Sequence, residues 1–128
     1  MLTGAAAVCY NCSMDKKFRP VLSVRIFGEE KCFGPGVAEL LRRVQREKSL
    51  RAAAISISMA YSKAWKVIKS AEAELGFKLL VSTTGGKNGG GAVLSPEAER
   101  LLAAYDAYCG AVKDFAAQEF SRRFDGIL

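Results

Sequence analysis

Three lysines, Lys63, Lys66 and Lys69, recur every third residue in the stretch YSKAWKVIKSAEAEL, and a cationic flank of that kind can meet a polyanion. In the same stretch Ala64, Ile68, Ala71 and Leu75 follow one another at steps of four, three and four, which puts them on one helical face. A second arrangement with chemical potential is the run Thr84-Gly85-Gly86-Lys87-Asn88-Gly89-Gly90-Gly91, where glycines let backbone amides approach phosphates and Lys87 and Asn88 sit at the tip. Its spacing is wrong for a phosphate loop of the Walker type, and a strand rather than a helix follows. The third is Cys9-x-x-Cys12, which lacks a second pair of ligands because Cys32 and Cys109 stand alone. These cysteines read as incidental reduced thiols. The chain has no histidine, so the commonest general base and the commonest metal ligand are both missing. No carboxylate pair or activated nucleophile is placed for catalysis, so we expect neither enzyme activity, nor a cofactor, nor a metal site.

The lysine flank needs elements to hold it. A helix over about 61–75 is preceded by a short Ala-rich one, Leu50 to about Ile57, whose small side chains let a second helix cross closely. Two helices so joined meet the requirement for a helix-turn-helix that lays its second member in a DNA major groove. The same pattern fits a plain solvated surface helix, and periodicity alone does not separate the two. After Gly76, which stops the helix as a C′ residue, Phe77 to Thr83 reads as a strand and Ala92 to Leu94 as another. Strand, glycine-rich tip and strand form a hairpin, which after a helix-turn-helix is a wing.

Upstream, Val21 to Phe27 alternates Leu22, Val24 and Ile26 with Ser23 and Arg25 and reads as a half-buried strand, with Lys31 to Phe33 returning beside it. Gly34-Pro35-Gly36 then opens a helix whose stripe is Val37, Leu40, Leu41 and Val44. Its Arg42, Arg43, Arg46 and Lys48 read as a solvated face. Downstream, Ser95 as N-cap, Pro96 at N1 and two acids in the first turn start a helix that runs toward Phe124. Its Leu101, Leu102, Tyr105, Tyr108, Cys109, Val112, Phe115, Ala116 and Phe120 form a broad apolar face. Trp65, beside Ala64 and Ile68, reads as packing rather than contact surface. A second copy of the chain is the favoured cover for the long helix, and the N-terminal strand with the first helix is the alternative.

With 128 residues, half of them hydrophobic, the chain can bury a core as one domain. Its formal charge of +6 suits an anionic partner. No apolar run is long enough for a bilayer, the first residues make no convincing signal peptide, and the composition suits a reducing cytoplasm. Residues 1–20 read as a disordered extension, with Met14 as the natural start, and 21–128 as the domain. The expected fold is mainly α with small β: a winged helix-turn-helix with N-terminal strands, a two-stranded wing and a long C-terminal dimerisation helix.

The stretch FGPGVAELLRRVQREKSLRAAAISISMAYSKAWKVIKSAEAELGFKLL, followed by TTGGKNGGGAVLSPEAERLLAAY, resembles the N-terminal winged helix-turn-helix domain of ModE-type molybdate-responsive transcription regulators, a domain related to LysR-type DNA-binding domains. The resemblance covers about Leu22 to the C-terminus. Its most specific pieces are Tyr61-Ser62-Lys63-Ala64-Trp65 and the run from Gly85 to Leu94. It implies a homodimer joined through the first and last helices and binding double-stranded DNA sequence-specifically. Tyr61, Ser62, Lys63 and Lys66 are then expected in the major groove, and Thr83, Thr84, Lys87 and Asn88 along phosphates or the minor groove. Lys69 and Arg51 complete the expected DNA-binding set.

Two departures stand out. Ser58 occupies a turn position where the family has glycine, at a cost on the order of 1 kcal/mol if φ is positive, so a different turn is expected. Ala60 stands where a capping hydroxyl is common. Family members continue into β domains that bind molybdate, whereas this sequence stops at Leu128. It is therefore expected either to sense nothing directly or to take its signal from a separate effector-sensing protein. The competing reading is a winged-helix module for protein interaction or oxyanion sensing, without specific DNA binding.

Overall fold

Eight elements follow one another in the computed structural model, which describes residues 17–83 and 90–128. They are β1 (Ile26–Phe27), β2 (Lys31–Phe33), α1 (Pro35–Glu47), α2 (Leu50–Ser56), α3 (Tyr61–Leu75), β3 (Leu80–Thr83), β4 (Gly91–Leu94) and α4 (Pro96–Phe124). The expectations about Met14, Cys9 and Cys12, and about Thr84, Lys87 and Asn88, fall outside the described residues. Two compact units are formed: one is Ser23–Gly110, and the other joins residues 17–22 to Ala111–Leu128.

The first unit is a winged helix-turn-helix. Pro35 sits in the first turn of α1, where its missing N–H costs nothing, and Leu40, Leu41 and Val44 of that helix are buried with Val37 packed beside them. Lys48 caps α1 in the left-handed conformation (φ 63°), and its carbonyl accepts from Ala92 N at 3.0 Å, which ties the wing strand β4 to the end of α1. Ser49 caps α2, accepting from Ala52 N at 3.1 Å. α2 buries Leu50, Ala53 and Ala54, and α3 buries Ala64, Ile68 and Ala71. Alanines at both contact lines permit the close crossing that the sequence called for.

Ser58 adopts φ 56° in the turn between α2 and α3. The expectation of a different turn is therefore corrected: serine takes the left-handed position itself, held by Ser58 N donating to Ile55 O at 3.0 Å and Met59 N to Ala54 O at 2.8 Å. Ala60 is the N-cap of α3 and makes no side-chain cap bond. At the other end Gly76 terminates α3 at φ 84°.

The strand expected over Val21–Phe27 shrinks to Ile26–Phe27, with Leu22 exposed. A strand is only as long as its partner, and β2 has three residues before Gly34 leads into α1. The chain just upstream is held differently, by Tyr105 OH donating to Val24 O at 2.8 Å. The strand expected from Phe77 starts instead at Leu80, because Glu72 of α3 accepts from Leu79 N at 2.7 Å and Leu80 N at 3.4 Å. Thus α3 and the root of β3 are joined by a carboxylate. β3 and β4 pair antiparallel in the register Leu80 with Leu94, Val81 with Val93, Ser82 with Ala92 and Thr83 with Gly91.

Ser95 is buried and does double duty: its Oγ accepts from Ala98 N at 3.0 Å and donates to Lys78 O at 2.6 Å. α4 therefore starts where the hairpin is anchored. Of the broad apolar face expected of α4, Leu102 and Tyr105 are buried, with Ala98 buried before them and Phe33 edge-on to Tyr105 at 5.0 Å, whereas Tyr108 is exposed. Arg42, expected to be merely solvated, bridges Glu39 of its own helix and Asp106 of α4, and Arg43 donates to Glu39 at 2.7 Å.

In the second unit, Phe115 is exposed and Phe120 packs on Phe124 at 4.8 Å. Glu119 holds Arg122 and Arg123, each at 3.0 Å, and the chain turns at Gly126. No helix among the described residues is long and apolar enough to cross a membrane.

Candidate nucleic-acid interface

An α-helix turns once in about 3.6 residues, so burying Ala64, Ile68 and Ala71 aims Ser62 and Lys66 almost directly away from the core. Both are exposed, as is Lys63 on the adjacent flank. Among the described residues no carboxylate pairs with Lys63 or Lys66. Lys69 differs from them. It is half-buried, lies 3.4 Å from Glu72, and its ammonium stands 5.5 Å from the centre of the Trp65 ring. Of the three lysines in the sequence pattern, two present an unpaired charge and one is held.

Trp65 is 50% exposed, which corrects its reading as a packing residue. Ala64 and Ile68 point inward, and Trp65 lies about a quarter-turn round from them, beyond the edge of the buried stripe. Sequence neighbours on a helix do not share a face, and this was the missed signal. Tyr61 opens the helix with its ring under the Arg51 guanidinium at 4.2 Å, a cation–π contact between α2 and α3. Arg51 is thereby positioned beside the first turn of α3 while staying exposed.

The hairpin sets Thr83, the last residue of β3, opposite Gly91. A Cβ at residue 91 would stand 2.0 Å from Thr83 Oγ1, so this crossing requires glycine as long as the threonine keeps its rotamer. Between α3 and the hairpin runs a groove of about 500 Å³, with Tyr61, Trp65 and Lys69 on one side and Lys78, Ser82 and Gly91 among its other walls. Lys78 was not foreseen from the sequence. Its position at the hairpin root, one residue before the buried Leu79, follows only from the Ser95 and Glu72 bonds that fix that root.

Tyr61, Ser62, Lys63, Lys66 and Arg51 thus gather around the exposed side of α3, with Lys69 turned to the groove and Thr83 on the wing. No group of three or more metal-ligating side chains occurs among the described residues.

The model of the bacterial regulatory helix-turn-helix proteins of the lysR family matches residues 37–99. The molybdenum-pterin-binding protein MopB of Rhodobacter capsulatus is 37% identical over 87 residues, covering 67% of this chain and 32% of that protein. The transcriptional regulator ModE of Haemophilus influenzae is 39% identical over 72 residues, 56% of this chain and 28% of that protein. The chain therefore spans about a third or less of the length of these relatives. Among solved structures, a LysR family transcriptional regulator superposes with TM-score 0.52 at 15% identity, covering 71% of this chain and 29% of that one. The BenM DNA-binding domain, solved as a complex with benA site 1 DNA, superposes with TM-score 0.50 at 22% identity, covering 71% and 96%. At these identities the superpositions establish the shared winged-helix fold.

Proposed function

We propose that this chain, whose residues 37–99 match the model of the lysR family of bacterial regulatory helix-turn-helix proteins, binds double-stranded DNA sequence-specifically and regulates transcription as a homodimer. One observation carries the reading. Ser62, Lys63 and Lys66 stand exposed on the side of α3 away from its buried alanines, and no described carboxylate neutralises the two lysines. α3 enters the major groove; Ser62 and Lys66 meet base edges and phosphates, and Lys63, Tyr61 and Arg51 flank them. The wing residues Thr83, Thr84, Lys87 and Asn88 lie along the backbone or minor groove. Support comes also from the regulator ModE among the relatives and from the DNA-bound state of the BenM domain.

The homodimer rests on α4, whose Tyr108 and Phe115 are large apolar side chains left exposed. Two copies joined by a two-fold axis would present two α3 helices to half-sites about 34 Å apart.

Selection of bound fragments from a random DNA pool, followed by titration of the best fragment at several salt concentrations, tests the reading. The expected result is a palindromic fragment whose affinity falls by about 0.9 log units per log unit of salt for each phosphate neutralised. Enrichment of no sequence, with flat and weak retention, would instead favour a module for protein or oxyanion binding.

A further inference from the structure

On the footing of the DNA-binding reading, we propose that the groove between α3 and the β3–β4 hairpin seats one sugar–phosphate strand of the duplex, with Trp65 as its apolar wall and Lys78 as its counter-charge. The two features are independent of the face that Ser62 and Lys66 present. Trp65 lies a quarter-turn from the buried stripe on the side shared with Tyr61, Lys69 and Glu72, so its indole looks across the groove rather than outward to base edges. A half-exposed indole is costly to leave in water, and its flat apolar face suits the C–H surface of a deoxyribose.

Charge decides what else the groove accepts. Glu72 lines it, but its side chain is only 10% exposed, with Oε2 taken by the Leu79 and Leu80 amides and Oε1 facing Lys69. Its negative charge is therefore spent within the protein. Lys78 has no carboxylate partner among the described residues, and its own backbone is pinned by Ser95, so a fixed root holds this exposed lysine at the wall of the groove. An indole flanked by cations matches the alternation of apolar sugar and anionic phosphate along one strand. Contacts of this kind position a protein on DNA and carry no sequence information.

Trp65 is the only tryptophan of the chain, so its fluorescence reports on the groove directly. The full-length protein, with Lys78→Ala, Trp65→Ala and Trp65→Phe variants, is titrated with the duplex selected from the random pool and with a scrambled duplex of equal length. Duplex addition is expected to quench or shift the Trp65 emission. Lys78→Ala should lower the slope of log affinity against log salt by about 0.9 and weaken both duplexes by the same factor. Trp65→Ala should weaken both roughly tenfold, with Trp65→Phe recovering most of the loss. If the wild type binds and Lys78→Ala keeps its salt slope while Trp65→Ala keeps its affinity, the groove is empty in the complex and the proposal fails by itself. A change in the bases selected by Trp65→Ala would make the indole a base reader and equally overturn it. Quenching by millimolar inorganic phosphate with no response to duplex would mark a small-anion pocket, against the proposal. Should the wild type retain no duplex, the DNA-binding reading falls, and this inference with it.

Discussion

α3 and α4 both carry an apolar stripe, yet they dispose of it differently. α3 buries small residues, Ala64 and Ala71 with Ile68 between them, which brings its axis close to its neighbours and leaves its other side free to be charged. α4 begins the same way with Ala98, Leu102 and Tyr105, then continues with aromatics, of which Tyr108 is 61% and Phe115 64% exposed. A helix whose contact line is made of alanine is positioned by its own fold. One whose stripe ends in exposed aromatic rings has more apolar surface than its own unit covers, which is the property expected of an association surface.

The contrast can be broken at its buried end first. Phe33, fully buried and edge-on to Tyr105, is the residue against which the covered part of α4 is packed. Phe33→Ala should destabilise the protein by about 3–5 kcal/mol in chemical denaturation, because the core there is too dense to collapse around the void. A loss under about 1 kcal/mol would mean that α4 is no better seated at Tyr105 than at Tyr108. Next comes the alanine line of α3. Ala64 is completely buried, so Ala64→Leu should cost about 1–3 kcal/mol by forcing α2 and α3 apart, and should weaken DNA binding beyond what the stability loss explains.

At the exposed end the expectation reverses. Phe115→Ser should change unfolding free energy by no more than about 0.5 kcal/mol at a concentration where the protein is monomeric. In sedimentation equilibrium, however, it should weaken self-association roughly tenfold, the mark of a buried aromatic anchor. Unaltered association would remove α4 from the proposed dimer interface.

The smallest effect concerns α1, whose Arg42 reaches Asp106 on α4. The hydrogen bond from Arg43 holds the Glu39 carboxyl below the ordinary glutamate range, against an opposing push from partial burial and with further help from Arg42. A carboxyl whose value is lowered by folding stabilises the native state above the ordinary glutamate range, and that contribution disappears as pH falls through the lowered value. Because Glu39 and its arginines are well exposed to water, the part lost between neutral and acid pH should be no more than about 0.5 kcal/mol. Subtracting the acid unfolding profile of Glu39→Gln from that of the wild type measures it.

Much of this molecule was legible before any coordinates. The bounds of α3, the start of α4 at Ser95 and Pro96, the C-terminal glycine of α3 and the pairing of β3 with β4 all follow from residue periodicity and from caps, which are local properties of the chain. The direction of Ser62, Lys63 and Lys66 follows too, since it is fixed once the buried stripe is known. What escaped were features that depend on a partner distant in sequence. Val21–Phe27 has strand-like alternation, but its length was set by a three-residue β2; Phe77 has strand-like neighbours, but Glu72 claims the amides after it. Trp65 adjoins core residues, yet the helix period already sets it a quarter-turn from them; what the sequence does not show is the hairpin that makes a groove for it to face.

The sequence by itself therefore determined which helices and turns form and which side of α3 is cationic, because helix period and capping act within a few residues. Only the tertiary structure decided where α3 lies against the hairpin, that Lys69 is held by Glu72 while Lys66 meets no carboxylate among the described residues, and that Lys78 and Trp65 share a groove. Those facts rest on hydrogen bonds and packing between residues far apart along the chain, and no local rule encodes them.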